Sequence, residues 1–486
     1  MNRRLITSLI GLSIVVLLVV AIIAIRPGSG DSPGAAPRAA QGERDADEDE
    51  GEGESAREVA EEAAEELRGE LSVVHAAAVQ SAPAPGWQAE QVWSASGNDW
   101  EPAIAAAPNS NWVYQATTRY GGPKACQQCS DPAIIVRASS DGGTTWGADH
   151  YICACRNVKA QNDPQLAVAT DGTVYATWLN DYNPGVVFSK SSDHGVTWTT
   201  PISVKGKGLS FSDKPILAIS PSGQDVYIAW NASDSYMSAS HNFGASFAAR
   251  IKTNADSRYW FAESGVVAPN GYVYFGESAE NQNATGTVQL SVIRSTNGGS
   301  SWTTTLIDTS QQQPPCTAGS TCPPDFFGPQ LGVGVDAAGT LMAAYTLNTT
   351  NAAPLDLFIR TSTNAGGSWS SRTEIGQAPG TVGAGFPAIE GVGASDFRVA
   401  WQDDRNGAAS WDTWYTRTTN GGSSWSAAVR LSDAGGGAPY KNANGYAFPY
   451  GDYFDLDVTQ SGTNVVIWGE GTDYVGPGGS WFTRGL

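Results

Sequence analysis

At 486 residues the chain has room for several compact domains or for one large repeat architecture. Its formal charge of −20 leaves no basic face for phosphate, which excludes a nucleic-acid partner. Charged residues are only 16% of the chain, whereas 56 Gly, 17 Trp and 17 Tyr suit an all-β protein rich in tight turns.

The first element in chain order is apolar. Residues 1–4 read as a cytoplasmic N-terminus, and Leu5 to Ile25 form 21 residues without a charge. A helix of that length spans a hydrocarbon core of about 30 Å. Arg3 and Arg4 precede it and an acidic run follows Arg26, so the positive-inside rule places the remainder outside the cytoplasm. The expectation is a transmembrane signal-anchor with its following domain at the cell surface or in the periplasm. The alternative is a cleaved signal peptide and a secreted product, although the apolar stretch is long for that. Residues 26–86 read as an acidic linker, mostly disordered. From residue 27 they hold 15 Asp/Glu against four Arg, which cannot bury a core. Ser55 and Glu58 form a capping-box pattern that predicts a short helix within it.

From Trp87 to Leu486 the chain repeats itself. Ser139–Trp146 (SSDGGTTW) and Ser191–Trp198 (SSDHGVTW) match Ser-x-Asp-x-Gly-x-Thr-Trp, and variant copies begin at Ser240, Ser295, Ser362 and Thr418. Asp or Asn bonds its own backbone two residues on, Gly supplies a positive φ, and Trp packs beneath the turn. This is the Asp box, or BNR repeat, here in six copies at intervals of 49 to 67 residues. An apolar strand pair precedes each box, as in Pro102–Tyr114, Pro164–Trp178 and Pro215–Trp230, and a seventh pair, Tyr453–Trp468, has no box. The C-terminal strand at Ser480–Leu486 leaves room for one more, and Trp87–Ser94 resembles the strand after the last box. The expectation is therefore an all-β, seven-bladed β-propeller whose N-terminal strand completes the last blade, with the boxes as c–d turns. A six-bladed ring is the alternative.

The boxes resemble those of the sialidases, over about the last four hundred residues. That resemblance implies a six-bladed relative with three arginines on a substrate carboxylate, a Tyr nucleophile paired with Glu, and a separate Asp acid/base. Phe261–Tyr274 (FAESGVVAPNGYVY) is similar to the family's Glu-bearing strand pair and makes Glu263 the match to its glutamate; Tyr453 or Tyr259 would be the nucleophile. The sequence departs from the family at two arginines. The first inner strand reads Glu101-Pro102-Ala103-Ile104, and the strand after Glu263 reads Phe275-Gly276-Glu277.

The boxes are fold elements, so the working face should be the opposite one, where d–a and b–c loops converge. Those loops supply Glu101, Asp163, Asp213, Arg258, Asp452, Arg119, Asp181, Asp403 and Arg405 as candidate ligand-binding residues, with Glu277 assigned to a loop after a second strand. Arg119, Arg258 and Arg405 could form a substitute arginine cluster; the other reading pairs each with a local carboxylate. Carboxylates beside aromatic rings suit carbohydrate. The expected function is glycan or glycoconjugate recognition by a surface-tethered propeller. A retaining exo-glycosidase and an extracytoplasmic protein-docking scaffold are the alternatives. No cofactor is implied, although the rim acids could hold calcium, and the oligomeric state is open. An acidic mouth should repel an anionic sialoside. Cys126, Cys129, Cys153, Cys155, Cys316 and Cys322 predict three disulfides, without fixing their connectivity and with no metal expected.

Overall fold

The computed structural model describes residues 82–94, 99–181, 185–209, 211–282, 286–311, 328–348, 355–376, 383–403, 405–406, 412–432, 453–470 and 479–486, together with the backbone of 441–442 and 445–446. The expected anchor, most of the linker, Asp452, Cys316 and Cys322 lie outside them. Among the described residues no helix is long and apolar enough to cross a membrane.

Strands dominate because β-branched and aromatic residues alternate between Gly-rich turns. They form seven four-stranded antiparallel sheets. Blade 1 runs Asp99–Ala106, Val113–Arg119, Ala133–Ser139 and His150–Tyr151, from innermost to outermost. The inner strands of blades 2 to 7 are Gln161–Val168, Asp213–Ile219, Tyr259–Val267, Leu331–Val335, Ala384–Gly391 and Phe454–Val458. Blade 7 draws its outermost strand, Gln91–Val92, from the other end of the chain; it pairs with Gly479–Gly485. The chain is thus a seven-bladed β-propeller closed three plus one, and the six-bladed alternative is excluded.

Closure is held at both radii. On the outside, Trp87 packs edge-on to Tyr415 at 4.9 Å, and Arg137 lies over the rings of Trp93 and Trp146 at 4.4 and 4.7 Å. On the inside, Asp455 and Asp457 of blade 7 accept from the backbone N–H groups of Ile104 and Ala106 at 2.9 and 2.7 Å. These are edge N–H groups facing the channel, which no further strand could satisfy.

Between blades the core is made of stacked strand faces. Ile216, Ala218, Ala229 and Met237 of blade 3 meet Val273, Phe275 and Ile293 of blade 4. In the boxes, Ser139 Oγ accepts from Gly143 N–H at 2.8 Å, and Asp141 accepts from the N–H groups of Thr144 and Thr145 at 3.0 and 2.8 Å. Gly244 shows why the glycine is required: its φ is +70°, and a Cβ would stand 2.2 Å from Phe188.

Candidate functional site

A repeated irregularity opens the inner strands. In blades 1, 2, 3 and 6 the pairing with the second strand slips by one residue, between Trp100 and Ala103, Asn162 and Gln165, Asp213 and Ile216, and Gly385 and Ala388. Within each slip a non-glycine residue stands before a proline at positive φ: Glu101 (54°), Asp163 (57°), Lys214 (43°) and Phe386 (55°). Such backbone costs about 1–3 kcal/mol per residue and persists where surrounding structure enforces it. A bulge re-aims side chains, and here it does so at one end of the ring. In blade 4 the corresponding slip falls between Ala262 and Ser264 and brackets Glu263.

The side chains so aimed meet at the channel mouth. A cavity of about 50 Å³ is lined by Lys214, Glu263, Gln330, Phe386, Tyr453 and Phe454, with Ile216 and Leu331 among its apolar walls. Behind it a channel of about 420 Å³ runs down all seven inner strands towards the box face. Lys214 is 5% exposed, and its ammonium lies 5.2 Å from the centre of the Tyr453 ring. Glu263 accepts a hydrogen bond from Ser278 at 2.8 Å. The Tyr453 hydroxyl is buried with no hydrogen-bond partner among the described residues. Burial first, then the charges of Asp163, Asp213, Glu101 and Glu263, push that phenol well up, so it is neutral.

Near Tyr453, three acids from three adjacent blades are joined. Glu101, Asp163 and Asp213 are 1%, 3% and 9% exposed. Glu101 Oε2 accepts from the Asp163 N–H and from Thr118 Oγ1, both at 2.9 Å. The Asp163 carboxyl is also hydrogen-bonded to the side chains of Glu101 and Asp213. Burial, then the neighbouring Glu101 charge, drives Asp163 far above the usual carboxylate range, against the pull of Lys214. Carboxyls this close disfavour one another's ionisation, which favours the protonated form of Asp163.

Glu277, expected in a rim loop, is instead inside the second strand of blade 4, Val273–Glu280, and is 0% exposed. The strand simply runs further than the sequence pattern suggested. Ser235 donates to its Oε1 at 2.8 Å, Oε2 has no partner among the described residues, and burial raises the group to about 8.

The remaining candidates have local partners. Arg119 grips Asp99 through two nitrogens at 2.6 and 2.9 Å and reaches Asp149 at 2.6 Å. Arg258 donates to the carbonyl of Thr287 at 2.6 Å, and Arg405 pairs with Asp403 at 2.6 Å while stacking 3.8 Å from Trp414. None of the three lines the cavity. Tyr259 is fully buried and its hydroxyl accepts from Asn231 at 3.2 Å. Asp181, at a φ of 60°, accepts at its backbone carbonyl from the Gly185 N–H at 3.0 Å. The structure therefore unites Glu263 with Tyr453 in one cavity and places the charges of Glu101, Asp163 and Asp213 near that phenol. Sequence reasoning missed Lys214, Gln330 and Phe386; the X-Pro pair opening four inner strands was the visible signal for Lys214 and Phe386.

Cys126 bonds Cys129 and Cys153 bonds Cys155, each within its own loop. The two loops meet through a backbone bridge between Cys129 and Arg156. Among the described residues no three His, Cys, Asp or Glu are arranged to hold a metal ion.

No protein-family model matches the chain, and no curated protein matches it. Among solved structures it is similar to a Hadza microbial sialidase, with 14% identity, 73% of each chain covered and a TM-score of 0.43. It is also similar to an ulvan lyase, a polysaccharide lyase of a new family solved with a bound sugar (10% identity, 84% of this chain and 97% of that one, TM-score 0.47). A third is the NanB sialidase of Streptococcus pneumoniae (10% identity, 85% and 71%, TM-score 0.41). The propeller assignment itself rests on the seven sheets and six boxes of this chain.

Proposed function

We propose that the channel mouth binds the end of a glycan, and that the propeller presents this pocket outside the cytoplasm. One observation carries the reading. Lys214 and Phe386 at positive φ, and Glu263 from a third bulge, converge with Gln330, Tyr453 and Phe454 on a single small pocket that combines an ammonium, a carboxylate, an amide, a phenol and two phenylalanine rings. Rings take the apolar face of a sugar and the polar groups take its hydroxyls. A cavity of about 50 Å³ admits one substituent of a ring, so recognition is of a chain end. The loop disulfides Cys126–Cys129 and Cys153–Cys155 fit an oxidising compartment, and the apolar segment 5–25 fits a membrane tether. Binding of the full chain to an array of neutral, cationic and anionic glycans tests the reading. Retention that falls in Glu263→Gln and Tyr453→Phe supports it; silence on every sugar counts against it. Protease added to intact cells should release a propeller-sized fragment.

A second reading has its own support in the unpartnered Tyr453 hydroxyl beside Glu263. In a retaining glycosidase Glu263 would take the phenol proton as Tyr453 attacks the anomeric carbon. A carboxylic acid such as Asp163 would protonate the departing oxygen. Hydrolysis of neutral aryl glycosides, lost in Tyr453→Phe, would install this reading. An aryl sialoside should not be turned over, because no guanidinium among the described residues lines the cavity to meet its carboxylate.

A further inference from the structure

At the box end of the ring, one copy of the repeat lacks a side chain that its neighbours have. In blades 1 to 3 a tyrosine near the start of the second strand, Tyr114, Tyr175 or Tyr227, faces the box of the next blade. Between blades 1 and 2 this groove is filled. The box residue His194, at a φ of 61°, stacks on Trp112 with ring centres 3.9 Å apart and planes 8° apart. Its Nδ1 is hydrogen-bonded to the Tyr114 hydroxyl at 2.8 Å. Between blades 3 and 4, Asp225 holds His241 at 2.8 Å, and that imidazole stands against the box residue Gly298.

Between blades 2 and 3 the filling ring is missing. Thr173 occupies the Trp112 position: its carbonyl accepts from the Ala169 N–H as the Trp112 carbonyl accepts from Ala107. Phe243, at a φ of 60°, occupies the His194 position and is 43% exposed. The space left is a cavity of about 280 Å³ whose lining includes Asp171, Thr173, Tyr175, Lys190, Ser192 and Phe243. The Lys190 ammonium donates to the Phe243 carbonyl at 2.7 Å and pins the exposed residue in place. Tyr175 is 1% exposed, and its hydroxyl, unlike that of Tyr114, makes no hydrogen bond among the described residues. Burial, then the Asp171 charge, pushes this phenol up to about 12, so it is a neutral donor.

We propose that this groove is a second sugar site, in which one neutral pyranose ring takes the place that the Trp112 indole has in blade 1. Its apolar C–H face lies on the Phe243 ring, and its hydroxyls meet Asp171, Thr173, Tyr175 and Ser192. The repeat sets the size, because the space left by one absent ring system takes one ring and not a strand or helix. The lining sets the chemistry. An aromatic side chain of a partner protein would cover Phe243 but leave the Asp171 carboxylate and the Tyr175 hydroxyl buried without hydrogen bonds, a cost that a sugar avoids. One carboxylate and one ammonium line the groove, which asks no net charge of the ligand. The site lies at the opposite end of the ring from the mouth and does not depend on how the mouth is read.

Hydrogen exchange of the full chain locates the site without a variant, with maltohexaose, cellohexaose, mannohexaose and xylohexaose as neutral probes and the tripeptide Ala-Trp-Ala as an aromatic one. At least one of the sugars should protect residues 171–175 and 241–246. Phe243→Ala removes the stacking face and should weaken that sugar about tenfold. Thr173→Trp supplies the indole that blade 1 has and should abolish binding while the ring stays folded, since Thr173 serves its turn through backbone groups. Should that variant fail to fold, Phe243→Ala, at an exposed turn, carries the test. Protection of the groove by none of the sugars, unchanged affinity in Phe243→Ala, or protection by the tripeptide alone overturns the proposal. Protection confined to the strands around Glu263 and Tyr453 also overturns it and leaves the mouth reading standing. Protection confined to the box face supports the second site and counts against the mouth.

Discussion

The two ends of the ring use the same side chain in opposite ways. In the boxes, Asp141 is exposed and accepts from Ser139, Thr144 and Thr145 within its own turn. Slight desolvation acts upward, but the Thr145 and Ser139 bonds outweigh it and hold the carboxyl at about 2. At the mouth, Asp163 is buried against Glu101 from a neighbouring blade and is driven upward. A carboxylate surrounded by donors is a local structural part. A carboxyl surrounded by other carboxyls stores a proton, and only the ring brings those carboxyls together. The signs of their pH dependence differ accordingly. Box acids stabilise the fold above their ordinary range, an effect lost as pH falls through about 2. Mouth and core acids stabilise it at low pH and lose that effect as pH rises.

The largest expected effect separates these two classes by pH. Glu277 is uncharged in the fold up to about 8, against an ordinary value of 4.5. Its favourable contribution is full below 4.5 and lost as pH rises through about 8. Glu277→Gln should therefore remove an alkaline destabilisation of about 4 kcal/mol, seen in urea unfolding at pH 9 against pH 5. Equal stability of the variant and wild type at pH 9 would place the group in a solvated environment.

Next in size is the box geometry. Gly244→Val sets a branched side chain at positive φ against Phe188 and should cost about 3 kcal/mol at any pH. A thermal midpoint that stays put would mean the turn can open without loss. Asp141→Ala removes a local acceptor of several bonds and should cost about 1 kcal/mol. Asp141→Asn should be milder, because Asn242, Asn297, Asn364 and Asn420 already serve in the variant boxes.

The smallest expected effect is at the mouth. Asp163→Asn replaces one neutral group by another and should change stability by about 0.5 kcal/mol or less near pH 6. A large loss there would show that the carboxyl is ionised in the fold. Carboxyl-selective infrared difference spectra across the same pH range give an independent check.

The sequence by itself determined the repeat. A box is a contiguous segment whose Ser, Asp or Asn, Gly and Trp interact within one turn, so each copy declares itself. Counting strand pairs against boxes also exposed the closure, because a pair without a box needs a strand from elsewhere, and Trp87–Ser94 was the segment that matched. Glu263 and Tyr453 were legible as candidates through their places at the start of inner strands. What only the tertiary structure decided was which candidates share a pocket. Glu101, Asp163 and Asp213 come from three blades, and nothing local to any of them shows that Asp163 is buried against the charge of Glu101. Arg119 and Arg405 look alike to Lys214 in sequence, yet Asp99 and Asp403 hold those two away from the cavity while a bulge before Pro215 delivers the lysine into it. Side-chain direction depends on backbone twist and on partners hundreds of residues away, and closing the ring fixes both.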